Sequence, residues 1–114
     1  MARYLISFDY GSMTFPDEEL PAVAEAARAV VQQAKDAGVY VFSGGLKEPE
    51  EASVVAAAYG TVTDGPYPGK KEHLGGFTIV EVPAREEALE WAAKIATACR
   101  CAQEVREFQF NPAM

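Results

Sequence analysis

The sequence predicts an α+β fold in which two helices cover one face of an antiparallel sheet. Strand and helix patterns follow one another in the order β-α-β-(β)-β-α-β, and both helices are amphipathic. Two helices can cover one face of such a sheet but not both. The uncovered face therefore predicts a second subunit stacked sheet to sheet, that is, a homodimer. A length of 114 residues fits a single domain, residues 1–114, with a core of its own.

The composition argues against two classes of partner. The formal net charge of −7 leaves no basic surface for phosphates, so we expect no nucleic-acid partner. No apolar run approaches the roughly 20 residues of a membrane-spanning helix, so we expect no membrane partner. The chain enters a strand pattern at its N-terminus, which predicts no secretory leader.

The two cysteines, Cys99 and Cys101, are expected as free thiols in a reducing cytoplasm. If both lay in a strand, their side chains would point the same way and a bridge between them would be strained. A redox or metal pair is the alternative. With one histidine and no further cysteine, however, a four-ligand metal site is not expected.

Two strands and the clearest helix occupy the first half of the chain. Residues 3–9 alternate, with Tyr4, Ile6 and Phe8 on one face and Leu5, Ser7 and Asp9 on the other. Acidic residues at 17–19 suit a helix N-terminus, apolar residues then recur at helical spacing from 20 to 34, and Gly38 ends the helix. Residues 39–42 read as a buried strand.

The second half repeats the alternation of strand and helix. Residues 53–59 are alanine-rich, so helix and strand compete there; we predict a strand that continues as a hairpin through residues 60–63. Residues 64–76 are predicted as a loop and residues 77–82 as a strand. A helix follows over residues 84–98, and the last predicted strand runs from 101 to 110.

The predicted loop has an unusual composition. Gly65 allows a positive φ, and the prolines at 66 and 68 restrict the backbone. The pair Gly75-Gly76 allows the backbone to come close to another group, or kinks the entry to the next strand. We therefore interpret residues 64–77 as a shaped segment on the rim of a pocket.

The stretch TDGPYPGKKEHLGGF, residues 63–77, resembles the hallmark of the YCII-related proteins of the DGPF type. The positions that match the motif are Asp64, Gly65, Pro66, Tyr67, Lys71, Glu72, Leu74, Gly75, Gly76 and Phe77. AKDAGVYVFSGGL is similar to the family's helix end and second strand, and EEALEWAAKIA to its second helix. The resemblance covers nearly the whole chain.

This resemblance implies a ferredoxin-like domain that pairs into a dimeric α+β barrel. It also implies a cytoplasmic bacterial protein whose motif holds no metal or organic cofactor, and relatives that are often linked to transcription regulators. Two departures limit what carries over. Gly69 stands where the family usually has an acid, and the first helix lacks the histidine of a branch suspected of acid-base chemistry.

Asp64 and His73 are the candidate catalytic residues. His73 is the only side chain whose ordinary pKa suits proton transfer at neutral pH, although it occupies the variable position of the motif. Its alternative role is that of a partly exposed loop histidine. Asp64 would act as a general base or as an acceptor for a ligand. The alternative for Asp64 is an Asx-turn in which its carboxylate accepts from nearby amides.

The candidate ligand-binding residues are Asp9, Tyr67, Lys71, Glu72, Gly75 and Gly76. Lys71 would hold an anionic ligand and Glu72 the ligand or a partner subunit, while a solvated pair is the alternative. Tyr67 is either a lid over the pocket or a dimer contact. Asp9 ends the first strand, where a carboxylate at the sheet centre would need a partner.

Three functions compete on this sequence. The first is a small-molecule-binding or regulatory module with a pocket rimmed by residues 64–77, acting on a partner such as a transcription regulator. The second is a cofactor-free acid-base enzyme with a small organic substrate. The third is a structural dimer scaffold. No pair of titratable groups is compellingly placed for catalysis, which favours the first function.

Overall fold

The structure is a computed structural model that describes residues 1–110, so residues 111–114 of the predicted domain lie outside it. Its helices are α1 (Leu20–Asp36) and α2 (Arg85–Cys99). Its strands are β1 (Ala2–Asp9), β2 (Tyr40–Gly45), β3 (Ser53–Val55), β4 (Val62–Asp64), β5 (Leu74–Val82) and β6 (Glu104–Glu107). Short 3-10 turns at Asp17–Glu19 and Pro49–Glu51 precede α1 and β3.

Four strands form an antiparallel sheet in the order β2-β5-β1-β6. With one helix in each crossover, this is the ferredoxin-like arrangement, and the predicted α+β fold is confirmed. The two longest strands, β1 and β5, lie side by side at the centre of the sheet. Their register changes between Phe8 and Asp9, where a bulge ends the regular ladder.

The core lies between α2 and the two central strands. The strict alternation predicted for β1 places Tyr4 and Ile6 on the helix side, across from Val80 and Thr78 of β5. The core cluster consists of Tyr4, Ile6, Val80, Val82, Ala88, Ala92 and Ile95. Ile6, Val80 and Val82 are fully buried, which contributes roughly 1.5–3 kcal/mol each.

Helix α1 packs less closely than α2. Pro21 lies in its first turn, and Gly38 follows its end, as predicted, with φ +74°. Only Val23 and Ala34 of α1 are buried. The helix rests mainly on α2, and its contact with the sheet is mostly with the edge strand β2. A gap therefore remains between α1 and the sheet.

The opposite face of the sheet has no covering layer within residues 1–110. Leu5, Phe42, Phe77 and Ile79 share this face, and the rings of Phe42 and Phe77 lie 6.1 Å apart. Phe42 is 56% exposed. At the margin, Arg3 Nε donates to Glu81 Oε2 at 2.9 Å. Val105 packs on the opposite side of the sheet, against the helices.

Strands β3 and β4 form a separate two-stranded hairpin. Ser53 lies opposite Asp64, and Val55 opposite Val62. The predicted hairpin is confirmed, but its first strand ends at Val55 instead of Tyr59. The reason is local, because Tyr59 and Gly60 both take left-handed φ values near +60° and turn the chain.

Other boundaries also differ from the prediction. β5 begins at Leu74, inside the predicted loop, because the glycine pair continues the ladder with β1 and β2. β6 covers residues 104–107 instead of 101–110, since only these residues pair with β1. Cys99 ends α2 and Cys101 lies in the following bend, so the two free thiols do not share a strand.

Neither helix of the described chain is long and apolar enough to cross a lipid bilayer.

Candidate functional site

The segment predicted as a pocket rim borders an open cavity of about 450 Å³, which we call the rim cavity. One wall comes from residues 46–52, between β2 and β3. Pro66, His73 and Leu74 supply the other wall. The cavity thus lies where the hairpin leaves the main sheet, beside the start of β5.

Three backbone hydrogen bonds hold the walls together. The Tyr10 amide, just after β1, donates to the His73 carbonyl at 2.7 Å. The Leu46 amide, just after β2, donates to the Gly75 carbonyl at 2.8 Å. The Gly65 amide donates to the Ala52 carbonyl at 2.7 Å and closes the base of the hairpin. Segments that are distant in sequence are therefore joined by main-chain groups.

The glycine pair is required by close approach inside the protein itself. A Cβ at Gly75 would lie 2.9 Å from both the Cα and the amide nitrogen of Tyr10. A Cβ at Gly76 would lie 2.7 Å from the Phe8 ring and 3.0 Å from the Gly44 carbonyl oxygen. The three distances below 3.0 Å are too short for a side-chain carbon. The group that each glycine admits is part of this chain, and neither glycine lines the rim cavity.

His73 is the one predicted catalytic residue that lines the rim cavity, where it is half-buried. Asp64, the other, is exposed at the end of β4. Within residues 1–110 no hydrogen bond joins the two side chains. The Asx-turn alternative for Asp64 also lacks its hydrogen bond there. The turn is instead stabilised by the hydrogen bond from the Gly65 amide to the Ala52 carbonyl, and Gly65 has a φ of +93°.

The predicted ligand-binding side chains are spread around the rim. Lys71 and Glu72 are exposed, and neither forms an ion pair in the described part of the chain. Tyr67 is 64% exposed. Asp9 lies opposite Leu74 at the bulge and is exposed, so its carboxylate needs no protein partner. Its backbone carbonyl instead accepts from the Ser12 amide and hydroxyl, which ends β1.

Sequence reasoning missed the wall formed by residues 46–52 and the neighbouring Tyr10. Lys47, Glu48 and Glu51 line the cavity, yet their segment reads only as a charged loop. The pKa of the Tyr10 phenol is raised, most strongly by the carboxylate of Glu48 and then by partial burial and by Glu50. Tyr10 therefore stays a neutral hydrogen-bond donor at neutral pH. No periodic pattern links Tyr10 to Glu48, because one follows β1 and the other follows β2.

Taken together, the sheet order and the rim cavity define a ferredoxin-like α+β domain with an inserted hairpin and an open pocket at its base. The sequence model of the YCII-related domain matches residues 2–109. The chain belongs to this family, as the motif at residues 63–77 predicted. A comparison with curated proteins gives no match. Within residues 1–110, no group of three or more His, Cys, Asp or Glu side chains is arranged to hold a metal ion.

Proposed function

We propose that this protein is a small-molecule-binding or regulatory module whose ligand occupies the rim cavity. The observation that carries the proposal is the cavity itself, bordered by the segment that bears the family motif. Its volume of about 450 Å³ lies within the range of ligand pockets. Its lining combines apolar Leu46 and Pro66 with charged or polar Lys47, Glu48 and His73, a mixture that suits a small polar molecule.

Binding is favoured over chemistry by the lack of an oriented acid-base pair. A histidine that acts as a general base is usually held by a second group, which fixes the orientation and the protonated nitrogen of its imidazole ring. Within residues 1–110, the His73 imidazole has no such partner. A cofactor-free acid-base enzyme is the second candidate, and the position of His73 in the cavity lining favours it.

The proposal includes a homodimer built on the uncovered sheet face. A compact monomer of 12.3 kDa exposes about 6,100 Å². This chain exposes 8084 Å², so the excess is about 2,000 Å², which is the scale of surface that a large homodimer interface removes. The radius of gyration of 16.0 Å also exceeds the roughly 13 Å of a compact domain of this length.

The remaining parts of the proposal rest on the resemblance to DGPF-type proteins. We place the protein in the bacterial cytoplasm and name a transcription regulator as the partner class for the regulatory role. The net charge of −7 disfavours direct contact with nucleic acid, so the regulator would be engaged as a protein.

A thermal-shift screen tests the ligand site. Small acids, amines and phosphorylated metabolites are screened on the wild type and on Glu48→Gln, His73→Gln, Asp64→Asn and Glu72→Gln. A ligand at one hundred times its Kd stabilises the fold by about 2.7 kcal/mol, which raises Tm by roughly 10 °C. Glu25→Gln, the same change on an exposed position of α1, is the matched control.

The proposal expects hits whose shift falls in Glu48→Gln and His73→Gln and persists in Glu25→Gln. Loss of the shift in Asp64→Asn or Glu72→Gln would add those exposed residues to the site. Shifts that survive every rim change would exclude the rim cavity. If a hit is also converted to a product, and His73→Gln abolishes conversion while retaining binding, the enzyme is the correct function.

Sedimentation analysis tests the dimer. The wild type should sediment at twice the 12.3 kDa mass of the chain. Phe42→Asp places a charge on the uncovered face and should yield a monomer. Leu89→Asp, on the outer side of α2, is the control that should remain dimeric. A wild-type monomer at micromolar concentration would refute the sheet-to-sheet dimer.

A further inference from the structure

A second cavity lies in the gap between α1 and the sheet, and the motif segment contributes almost nothing to it. We call it the helix cleft. Its volume is about 190 Å³. Its two helical walls consist of Ala27, Val30, Val31, Ile95, Ala98 and Cys99. It shares no lining residue with the rim cavity.

The cleft has a clear physical origin. The side chains that α1 turns toward it are small or β-branched, and α1 buries only Val23 and Ala34 elsewhere. The edge strand β2 ends in Gly44 and Gly45, which have no side chains to close the mouth. Because α2 fills the space above the central strands by itself, the volume under α1 stays empty.

The chemistry of the lining is apolar and uncharged. Phe8 supplies the aromatic surface, and no Lys, Arg, Asp, Glu or His contributes to the walls. The pKa of the Cys99 thiol is raised, mainly by burial and to a smaller extent by Cys101. The thiol is therefore neutral at physiological pH.

Thr78 supplies the free polar group of the cleft. It lies across from Ile6, so its side chain faces the helices. The Ser43 hydroxyl is already hydrogen-bonded to the Tyr40 hydroxyl at 2.8 Å. The Thr78 hydroxyl has no such side-chain bond within residues 1–110 and can serve a ligand.

We propose that the helix cleft binds a neutral molecule with one aromatic ring and one hydroxyl group. An engineered apolar cavity of roughly 150 Å³ in another protein binds benzene, so about 190 Å³ accommodates a single ring with one small substituent. The ring would pack against Phe8 and the aliphatic walls, and the hydroxyl would bond to Thr78. This site is separate from the proposed function of the rim cavity.

Phenol, toluene and benzoate are the probes. Calorimetric titration should show that phenol binds more tightly than toluene, and that benzoate, whose charge has no partner in the cleft, does not bind. Thr78→Val should weaken phenol binding about fivefold and leave toluene unchanged. Ala27→Leu fills the cleft and should abolish binding of both. Ala29→Leu, on the exposed side of α1, is the matched control and should have no effect.

Alkylation of the two cysteines supplies a second readout within one molecule. Trypsin cleaves after Arg100, so Cys99 and Cys101 appear on separate peptides in mass spectrometry. Phenol should slow the reaction of iodoacetamide with Cys99, which lines the cleft, and leave the reaction of Cys101 unchanged. This comparison needs no variant and therefore does not depend on the folding of one.

Four results would overturn the proposal: no binding of phenol, binding that survives Ala27→Leu, equal effects of phenol on the two cysteines, or binding of benzoate. The rim change Glu48→Gln separates the two sites. Phenol binding should be the same in Glu48→Gln as in the wild type. If phenol binding is instead lost in Glu48→Gln and retained in Ala27→Leu, the phenol site is the rim cavity and the proposal for the helix cleft is wrong.

Discussion

Replacement of Gly75 by alanine should strain the junction at which β1 and β5 meet beside the rim cavity. The added carbon would lie 2.9 Å from two backbone atoms of Tyr10 and 3.0 Å from the Phe8 ring. Favourable contacts between carbon atoms need about 3.5–4.0 Å. The ring can rotate away, but the Tyr10 backbone cannot move without lengthening its 2.7 Å hydrogen bond to the His73 carbonyl.

The magnitude follows from these contacts. Overpacking costs about 1–3 kcal/mol, and weakening one backbone hydrogen bond adds roughly 1 kcal/mol. Alanine restricts the unfolded chain more than glycine does, and this stabilising effect offsets about 0.5–1 kcal/mol of the loss. The net loss in the free energy of unfolding is about 2 kcal/mol, equivalent to a fall in Tm of about 8 °C for a domain of this length.

Thermal and urea unfolding followed by circular dichroism measure this loss. Gly45→Ala is the matched control, because a Cβ at Gly45 meets nothing within 4 Å, and its stability should stay within about 0.5 kcal/mol of the wild type. Gly76→Ala should fall between the two, since the Phe8 ring that it meets can shift. Equal stability of Gly75→Ala and Gly45→Ala would refute the close-approach argument.

Three further predictions concern single side chains. The phenol of Tyr10 should titrate above its ordinary range in ultraviolet difference spectra against Tyr10→Phe. Glu48→Gln should lower that pKa because the largest cause of the increase is removed, and an unchanged titration would disprove the electrostatic effect of Glu48. Since the pKa of Cys99 is raised in the fold, the unfolded chain ionises first, and stability should fall as pH rises above the ordinary thiol pKa. That slope should vanish in Cys99→Ser and persist in Cys101→Ser, and a slope that survives in Cys99→Ser would assign the effect elsewhere. Tyr59→Asn should stabilise the hairpin by up to about 1 kcal/mol, because asparagine tolerates a φ of +60° better than tyrosine, and a destabilised variant would show that the exposed ring has a partner.

The candidate site shows where local reasoning stops. The motif led to a rim at residues 64–77, and Pro66, His73 and Leu74 do border a cavity. The motif could not place the opposite wall, residues 46–52, because the two walls meet only through the Gly65–Ala52 and Leu46–Gly75 hydrogen bonds. Tyr10 was missed for the same reason, since Glu48 is remote from it in sequence and acts on its phenol only in the folded chain.

By itself, the sequence predicted the order of the strands and helices and the alternation of side chains along β1. These features depend on local periodicity, two residues for β1 and 3.6 for α1, and on turn chemistry such as the positive φ of Gly38. Only the tertiary structure decided which loops converge on the rim cavity and that α1 leaves a cleft above the sheet. Both depend on strand register and on the fit between layers, which no local pattern encodes.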